Sequence, residues 1–161
     1  MICFLILSEH SFAQDGVSEK YLMVQGIWER TYYENNEKNI EKVTIRNNTL
    51  LWVLNGKTVM RSTFLINTPY ISLIERELYD PKNNTFIEFN EYLGKFDEFL
   101  EQFKDPNQKM ELQLMFLRLM WPIYNFTFMG MNTYEIENTN GNTYLIIHKD
   151  TEAVKYQKTG S

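Results

Sequence analysis

Asparagine residues stand between short β-rich runs along this chain, and this pattern strongly limits how it can fold. Asn tolerates the left-handed backbone conformation that tight turns require. The pair Asn55-Gly56, between apolar runs at 50–54 and 58–66, is typical of a two-residue type I′ hairpin turn. The full pattern predicts nine strands, at 21–33, 40–46, 50–54, 58–66, 70–79, 85–90, 123–137, 143–148 and 152–158.

The connections between these runs are short, so we expect consecutive strands to pair antiparallel. A meander of eight or nine antiparallel strands tends to close into a barrel, because closure leaves no unpaired edge. The 161 residues are enough for one domain with a single core. The sequence therefore predicts a mainly β protein, a single antiparallel up-and-down β-barrel of eight to nine strands.

One segment interrupts the β pattern before the last three predicted strands. Apolar residues within 92–104 recur on one stripe at 100° per residue, which predicts an amphipathic helix. A second helix is predicted at 108–121, since Pro122 disfavours helical geometry at the residue before it. We interpret 92–121 as a two-helix insertion within the barrel domain.

The second predicted helix is apolar over most of its circumference and rich in methionine, with Met110, Met115 and Met120. Such a helix must be covered on nearly all sides or must cover something apolar. Three interpretations stay open. The helix packs on the outer wall of the barrel, forms a compliant lid over its mouth, or contacts a membrane or protein partner.

The first residues have the pattern of a secretory signal peptide without its cationic start. An apolar run at 2–7 is followed by Ser-Phe-Ala-Gln at 11–14. We therefore interpret 1–14 as a truncated signal peptide and expect an exported protein, periplasmic or extracellular; a first β-strand is the alternative. The apolar run is too short to cross a bilayer as a helix, so we expect no membrane span.

Charge and chemistry exclude several classes of function. The net charge of −5 with scattered basic residues does not suit a nucleic-acid binder. One cysteine and two histidines cannot build a thiolate metal site, and there is no Gly-x-Ser-x-Gly elbow or phosphate-binding loop. We interpret His148 beside Asp150 as a surface pair. The prediction is a non-enzymatic protein without catalytic residues, metal or cofactor.

One enzymatic alternative depends on two carboxylates. Glu75 and Glu77 share one face of a predicted strand. Such a pair can do acid–base work in a hydrolase or isomerase if burial separates the two pKa values. Solvent exposure at the end of the strand is the other interpretation.

The start of the first strand carries the sequence Gly26-Ile27-Trp28, and a short strand at 154–158 comes late in the chain. With the antiparallel meander between them, these features resemble the lipocalins and bacterial lipocalin-like domains of the calycin group. The resemblance implies a barrel domain over 15–161 whose closed end is plugged by Trp28, with Gly26 before it. It also implies that Lys158 packs over the indole ring in a cation–π contact.

A barrel of this size is either filled by side chains or holds one small ligand. Alternation along the strands, together with the predicted lid, gives a set of candidate ligand-binding residues. They are Trp52, Phe64, Leu73, Phe126, Phe128, Met115, Arg30 and Tyr156. Arg30 would bind a ligand carboxylate or, alternatively, pair with a nearby Glu.

The sequence thus predicts non-catalytic binding or transport of a small apolar or amphipathic molecule. The alternative is a filled barrel that serves as a cell-envelope protein-interaction or inhibitor module, with a protein as its partner.

Overall fold

A computed structural model describes residues 19–161, which form a nine-stranded antiparallel sheet closed into a ring. Helical residues 19–24, named α1, precede the first strand, and two longer helices, α2 (Phe89–Glu101) and α3 (Pro106–Asn125), precede the last three strands. The predicted fold class is confirmed. The strands are β1 (Gly26–Glu34), β2 (Glu37–Arg46), β3 (Thr49–Leu54), β4 (Lys57–Asn67), β5 (Tyr70–Asp80), β6 (Thr85–Glu88), β7 (Met131–Thr139), β8 (Asn142–Lys149) and β9 (Glu152–Gly160).

The ring follows the order β1, β2, β3, β4, β5, β7, β8 and β9 before it returns to β1. Strand β6 stands outside this ring and pairs only with the second half of β5, at 77–80. The first residues of β5, at 70–72, pair with β7 instead. The wall is therefore interrupted along 73–76, and α2 and α3 connect the two sides of this interruption.

The turns contain the asparagines that predicted them. Asn55 and Gly56 both have positive φ, 51° and 77°, as a type I′ turn requires. The Asn55 side chain also accepts a hydrogen bond from the Ile40 backbone N–H at 2.8 Å, which joins this turn to β2. Further asparagines with positive φ are Asn35, Asn36, Asn47, Asn84 and Asn140.

The predicted first strand begins too early. Strand β1 starts at Gly26, and the preceding residues are helical instead of extended. Within this helical segment Leu22 is 64% exposed, whereas Val24 is fully buried. Contacts distant in sequence select the helix: the Tyr21 ring lies 6.2 Å from that of Phe64.

The predicted strand at 123–137 is also wrong over its first part. Helix α3 continues through Pro122 to Asn125, and β7 begins only at Met131. Proline in a helix removes one backbone hydrogen bond. That loss lies on the exposed side of α3, and the next residue, Ile123, is buried against the core. The burial of Ile123 therefore outweighs the tendency of Pro122 to end the helix.

Two expectations from the sequence concern a membrane span and a signal peptide. Within residues 19–161, no helix has the length and apolarity needed to cross a membrane. The predicted signal peptide at 1–14 lies outside the described residues.

Candidate functional site

The irregular segment at 126–130, here called the plug segment, places two aromatic rings in the interior of the barrel. Phe126 and Phe128 are buried, and their ring centroids lie 5.4 Å apart. The Phe126 ring stacks on Trp52 of β3 at 4.1 Å, and the Phe128 ring lies 5.6 Å from that of Tyr156 on β9. A continuous row of aromatic rings therefore occupies space inside the barrel that the sequence suggested for a ligand.

Two side chains fix the plug segment by donating hydrogen bonds to its backbone. The Asn132 amide Nδ2 donates to the carbonyl oxygens of Thr127 and Met129, at 3.1 and 3.2 Å. The Lys149 Nζ donates to the carbonyl oxygen of Phe126 at 3.3 Å. Buried carbonyl groups without a partner are costly, so these contacts stabilise the segment in its place.

A buried charged network lies beside the row of rings. Glu41 is only 1% exposed, and its Oε2 accepts hydrogen bonds from the Arg30 Nε and Nη2 at 3.0 and 2.7 Å. The Glu41 Oε1 accepts a bond from the Tyr156 hydroxyl at 2.6 Å. Burial and the adjacent Glu41 charge raise the pKa of Tyr156 well above its ordinary value. Arg30 is therefore engaged by a carboxylate of the chain itself.

The predicted ligand-binding residues occupy four different environments. Five belong to the buried core, Leu73 packs against that core half-buried, Arg30 belongs to the charged network, and Met115 lies exposed on α3. The five core residues are Trp52, Phe64, Phe126, Phe128 and Tyr156.

The carboxylates considered for acid–base chemistry are each engaged by a different neighbour. Glu77 forms an ion pair with Arg61 at 2.6 Å, and this hydrogen bond lowers the pKa of the Glu77 carboxyl. Glu75 accepts a hydrogen bond from the Thr63 hydroxyl at 3.1 Å.

The His148 Nε2 lies 3.2 Å from the Glu135 carboxylate. Residues 19–161 hold no group of three or more His, Cys, Asp or Glu side chains arranged to bind a metal ion.

Gly26, Trp28 and Lys158 meet where β1 pairs with β9. The Lys158 Nζ lies 5.3 Å from the Trp28 ring centroid, and the indole N–H donates to the carbonyl of Val24 at 2.7 Å. Gly26 has φ +135°, and a Cβ there would lie 2.6 Å from the Lys158 Cε and 2.7 Å from the carbonyl oxygen of Gly160. Only glycine allows this close approach.

A large apolar cleft lies outside the barrel, between the helices and the β3–β4 and β5–β6 turns; we call it the helix–barrel cleft. Its main part has a volume of about 860 Å³ and a smaller part about 340 Å³. Tyr92 and Leu119 line both parts. The main part is also lined by Gly56, Lys57, Thr58, Val59, Leu78, Tyr79, Pro81, Met120 and Ile123, and the smaller part by Ile87, Lys95, Phe96, Met115 and Phe116.

Aromatic packing between the two helices forms the floor of the smaller part. The rings of Phe96 on α2 and Phe116 on α3 stack at 3.7 Å, and Tyr92 lies 6.1 Å from the same Phe116 ring. The cleft has the size and apolar character of a small-molecule site. Of the residues predicted from sequence, Met115 alone lines it. For the lining residues that lie on α3, the apolar circumference of this helix was the available sequence signal.

Comparison of the chain with known protein families, characterised proteins and solved structures finds no match. The resemblance to lipocalins therefore depends on the sequence features at Gly26, Trp28 and Lys158 and on the strand arrangement.

Proposed function

We propose that this protein is a non-catalytic, lipocalin-like binding protein for a small apolar or amphipathic molecule, held in the helix–barrel cleft. The observation that carries the proposal is the size and lining of this cleft, about 860 Å³ in its main part. Ligand-binding clefts have volumes of about 300–1,000 Å³ and mostly apolar linings with few polar groups. The row of stacked rings inside the barrel favours this outer site over an interior one.

The lining supports an elongated ligand with one polar end. Tyr92 and Leu119 line both parts of the cleft, so the two parts adjoin, and an elongated apolar chain would bind across these two residues. Removing apolar surface from water supplies about 25 cal/mol per Å² before the costs of association. Lys57 at the edge of the main part is suited to an acidic end group, whereas Lys95 already pairs with Glu91 at 2.6 Å.

The test uses the amphipathic fluorescent anion anilinonaphthalene sulfonate as a probe of the cleft. Leu119→Glu introduces a charge at a position 66% exposed, so the fold tolerates it, and we expect probe affinity to fall about tenfold, which corresponds to ~1.4 kcal/mol. Leu65→Glu is the matched control, since Leu65 is 55% exposed and lies toward the other end of β4 from the cleft residues 57–59. Equal affinity of the two variants would contradict the proposal.

We further propose export to the periplasm or the extracellular space, on the basis of the pattern at 1–14. Expression of the full chain in a bacterium, followed by intact mass measurement, tests this. Loss of the residues up to about Gln14 supports export, and recovery of the uncleaved chain from the cytoplasm contradicts it.

A second candidate function, a protein-interaction module, is supported by the filled interior and by an exposed apolar face on α3. This face lies outside the cleft and shares no lining residue with it.

A further inference from the structure

The outward face of α3 carries a continuous row of large apolar side chains, here called the outer stripe. Its five members recur at alternating spacings of four and three residues and are between 42% and 59% exposed. On an ideal helix they fall within an arc of about 80° and extend over about 21 Å. They are Met110, Leu114, Leu117, Trp121 and Tyr124. The buried residues of the helix, Met120 and Ile123, lie off this face.

Such a row is unusual on the surface of a monomer. Single exposed apolar residues are common, but a contiguous row of large ones marks an interaction site. The alternating spacing of four and three is that of the apolar seam between two paired helices. The outer stripe therefore has the pattern expected for contact with another helix.

The order of the first four side chains, from Met110 to Trp121, makes this part of the outer stripe complementary to itself. We propose that it binds a second copy of this chain, with the two α3 helices antiparallel about a two-fold axis midway between Leu114 and Leu117. This arrangement places Leu114 opposite Leu117 of the second copy and Met110 opposite Trp121 of the second copy. A two-fold interface requires this kind of self-complementary patch.

Charge supports the same arrangement. Glu111 and Arg118 flank the stripe on one edge, seven residues apart, and neither forms an ion pair within residues 19–161. The two-fold axis brings Glu111 to within about 3 Å, measured along the helix, of Arg118 of the second copy. The symmetry creates this ion pair twice.

A membrane surface suits the stripe less well than a second copy. Interfacial helices carry many Lys and Arg on their polar face. Helix α3 offers Lys109 and Arg118 only, and the chain has a net charge of −5. Two opposed stripes bury on the order of 1,000 Å² in total, near the lower limit for a stable interface. We therefore expect a dimer that dissociates at roughly micromolar concentrations.

Sedimentation velocity of the full chain over a micromolar concentration range tests the proposal. The wild type should show reversible dimerisation, and Leu114→Glu should remain monomeric while it keeps its affinity for the cleft probe. Leu65→Glu, a charge on a different exposed surface, should dimerise as the wild type does. A wild type that stays monomeric throughout this range would overturn the proposal.

A charge exchange tests the antiparallel register. Glu111→Arg should weaken dimerisation about tenfold, because two attractive pairs become repulsive. The double variant Glu111→Arg with Arg118→Glu should restore it. Failure of the double variant to recover dimerisation overturns the proposed pairing. Binding of the monomeric wild type to phosphatidylglycerol vesicles, abolished by Leu114→Glu, would overturn the dimer and assign the stripe to a membrane instead.

Discussion

Phe126 lies flat against Trp52 at the centre of the barrel, with ring centroids 4.1 Å apart and an angle of 14° between the ring planes. Both side chains are buried. Stacked aromatic pairs contribute about 0.5–1.5 kcal/mol beyond the burial of their surface. The plug segment is therefore part of the hydrophobic core and does not simply cross the mouth of the barrel.

Phe126→Ala should lower the free energy of unfolding by about 3–5 kcal/mol, because it removes a large ring from a packed interior. Urea denaturation followed by circular dichroism measures this change. The space left behind is lined by apolar groups, so benzene should bind there and raise the Tm of the variant. Phe99→Ala, at a ring 41% exposed on α2, is the control and should cost much less. Equal losses in the two variants would show that the plug segment contributes little to the core.

The buried hydroxyl of Tyr156 makes stability depend on alkaline pH. Burial and the Glu41 charge hold the pKa of Tyr156 above the ordinary value of about 10. The unfolded chain loses this proton near pH 10 while the folded chain retains it. The contribution of Tyr156 is therefore fully present below pH 10 and decreases as pH rises above it.

Tyr156→Phe isolates this effect. The variant should be about 1–3 kcal/mol less stable at pH 8, because Glu41 loses a hydrogen-bond donor. The difference from the wild type should become smaller between about pH 10 and 11, as measured by urea denaturation. Tyr33→Phe, at an exposed ring on β1, is the control. A constant difference between Tyr156→Phe and wild type over this range would contradict the assignment.

Gly26→Ala should destabilise the protein by about 1–3 kcal/mol or more. The new Cβ would meet the Lys158 side chain and the Gly160 carbonyl at less than 3 Å, at a backbone φ of +135°. Gly94→Ala is the matched control, because Gly94 lies within α2 and a Cβ added there would have open space for 4 Å around it. That variant should gain about 0.5–1 kcal/mol. Thermal unfolding of both proteins measures the contrast, and equal Tm values would contradict it.

The parts of the fold that depend on local signals could be predicted from the sequence. The Asn55-Gly56 turn is specified by its own two residues, and the strands around it follow from apolar runs. The helical state of 19–24 could not be predicted, because it depends on Tyr21 meeting Phe64 and on the Gln25 amide donating to the carbonyl of Asn47 at 3.1 Å. These partners are distant in sequence.

The plug segment shows why the site was harder to predict than the fold. Phe126 and Phe128 alternate as residues on one face of a strand do, and both point into the core. Alternation cannot distinguish a strand of the wall from an irregular segment inside the barrel, because both arrangements can bury two rings that are two residues apart. The helix–barrel cleft depends in turn on where α2 and α3 lie, which periodicity does not determine.

The Asn132 side chain provides a final test of how the plug segment is held. Asn132→Asp keeps the shape but removes both N–H donors to the Thr127 and Met129 carbonyls, so we expect a loss of about 2 kcal/mol. Hydrogen exchange should accelerate more at 126–130 than in strands β2 and β3, since the loss is local. Asn142→Asp is the control, because the exposed Asn142 accepts a bond from Gln157 and an aspartate can do the same. Uniform acceleration across the whole barrel would show that Asn132 stabilises the fold in general and not the plug segment in particular.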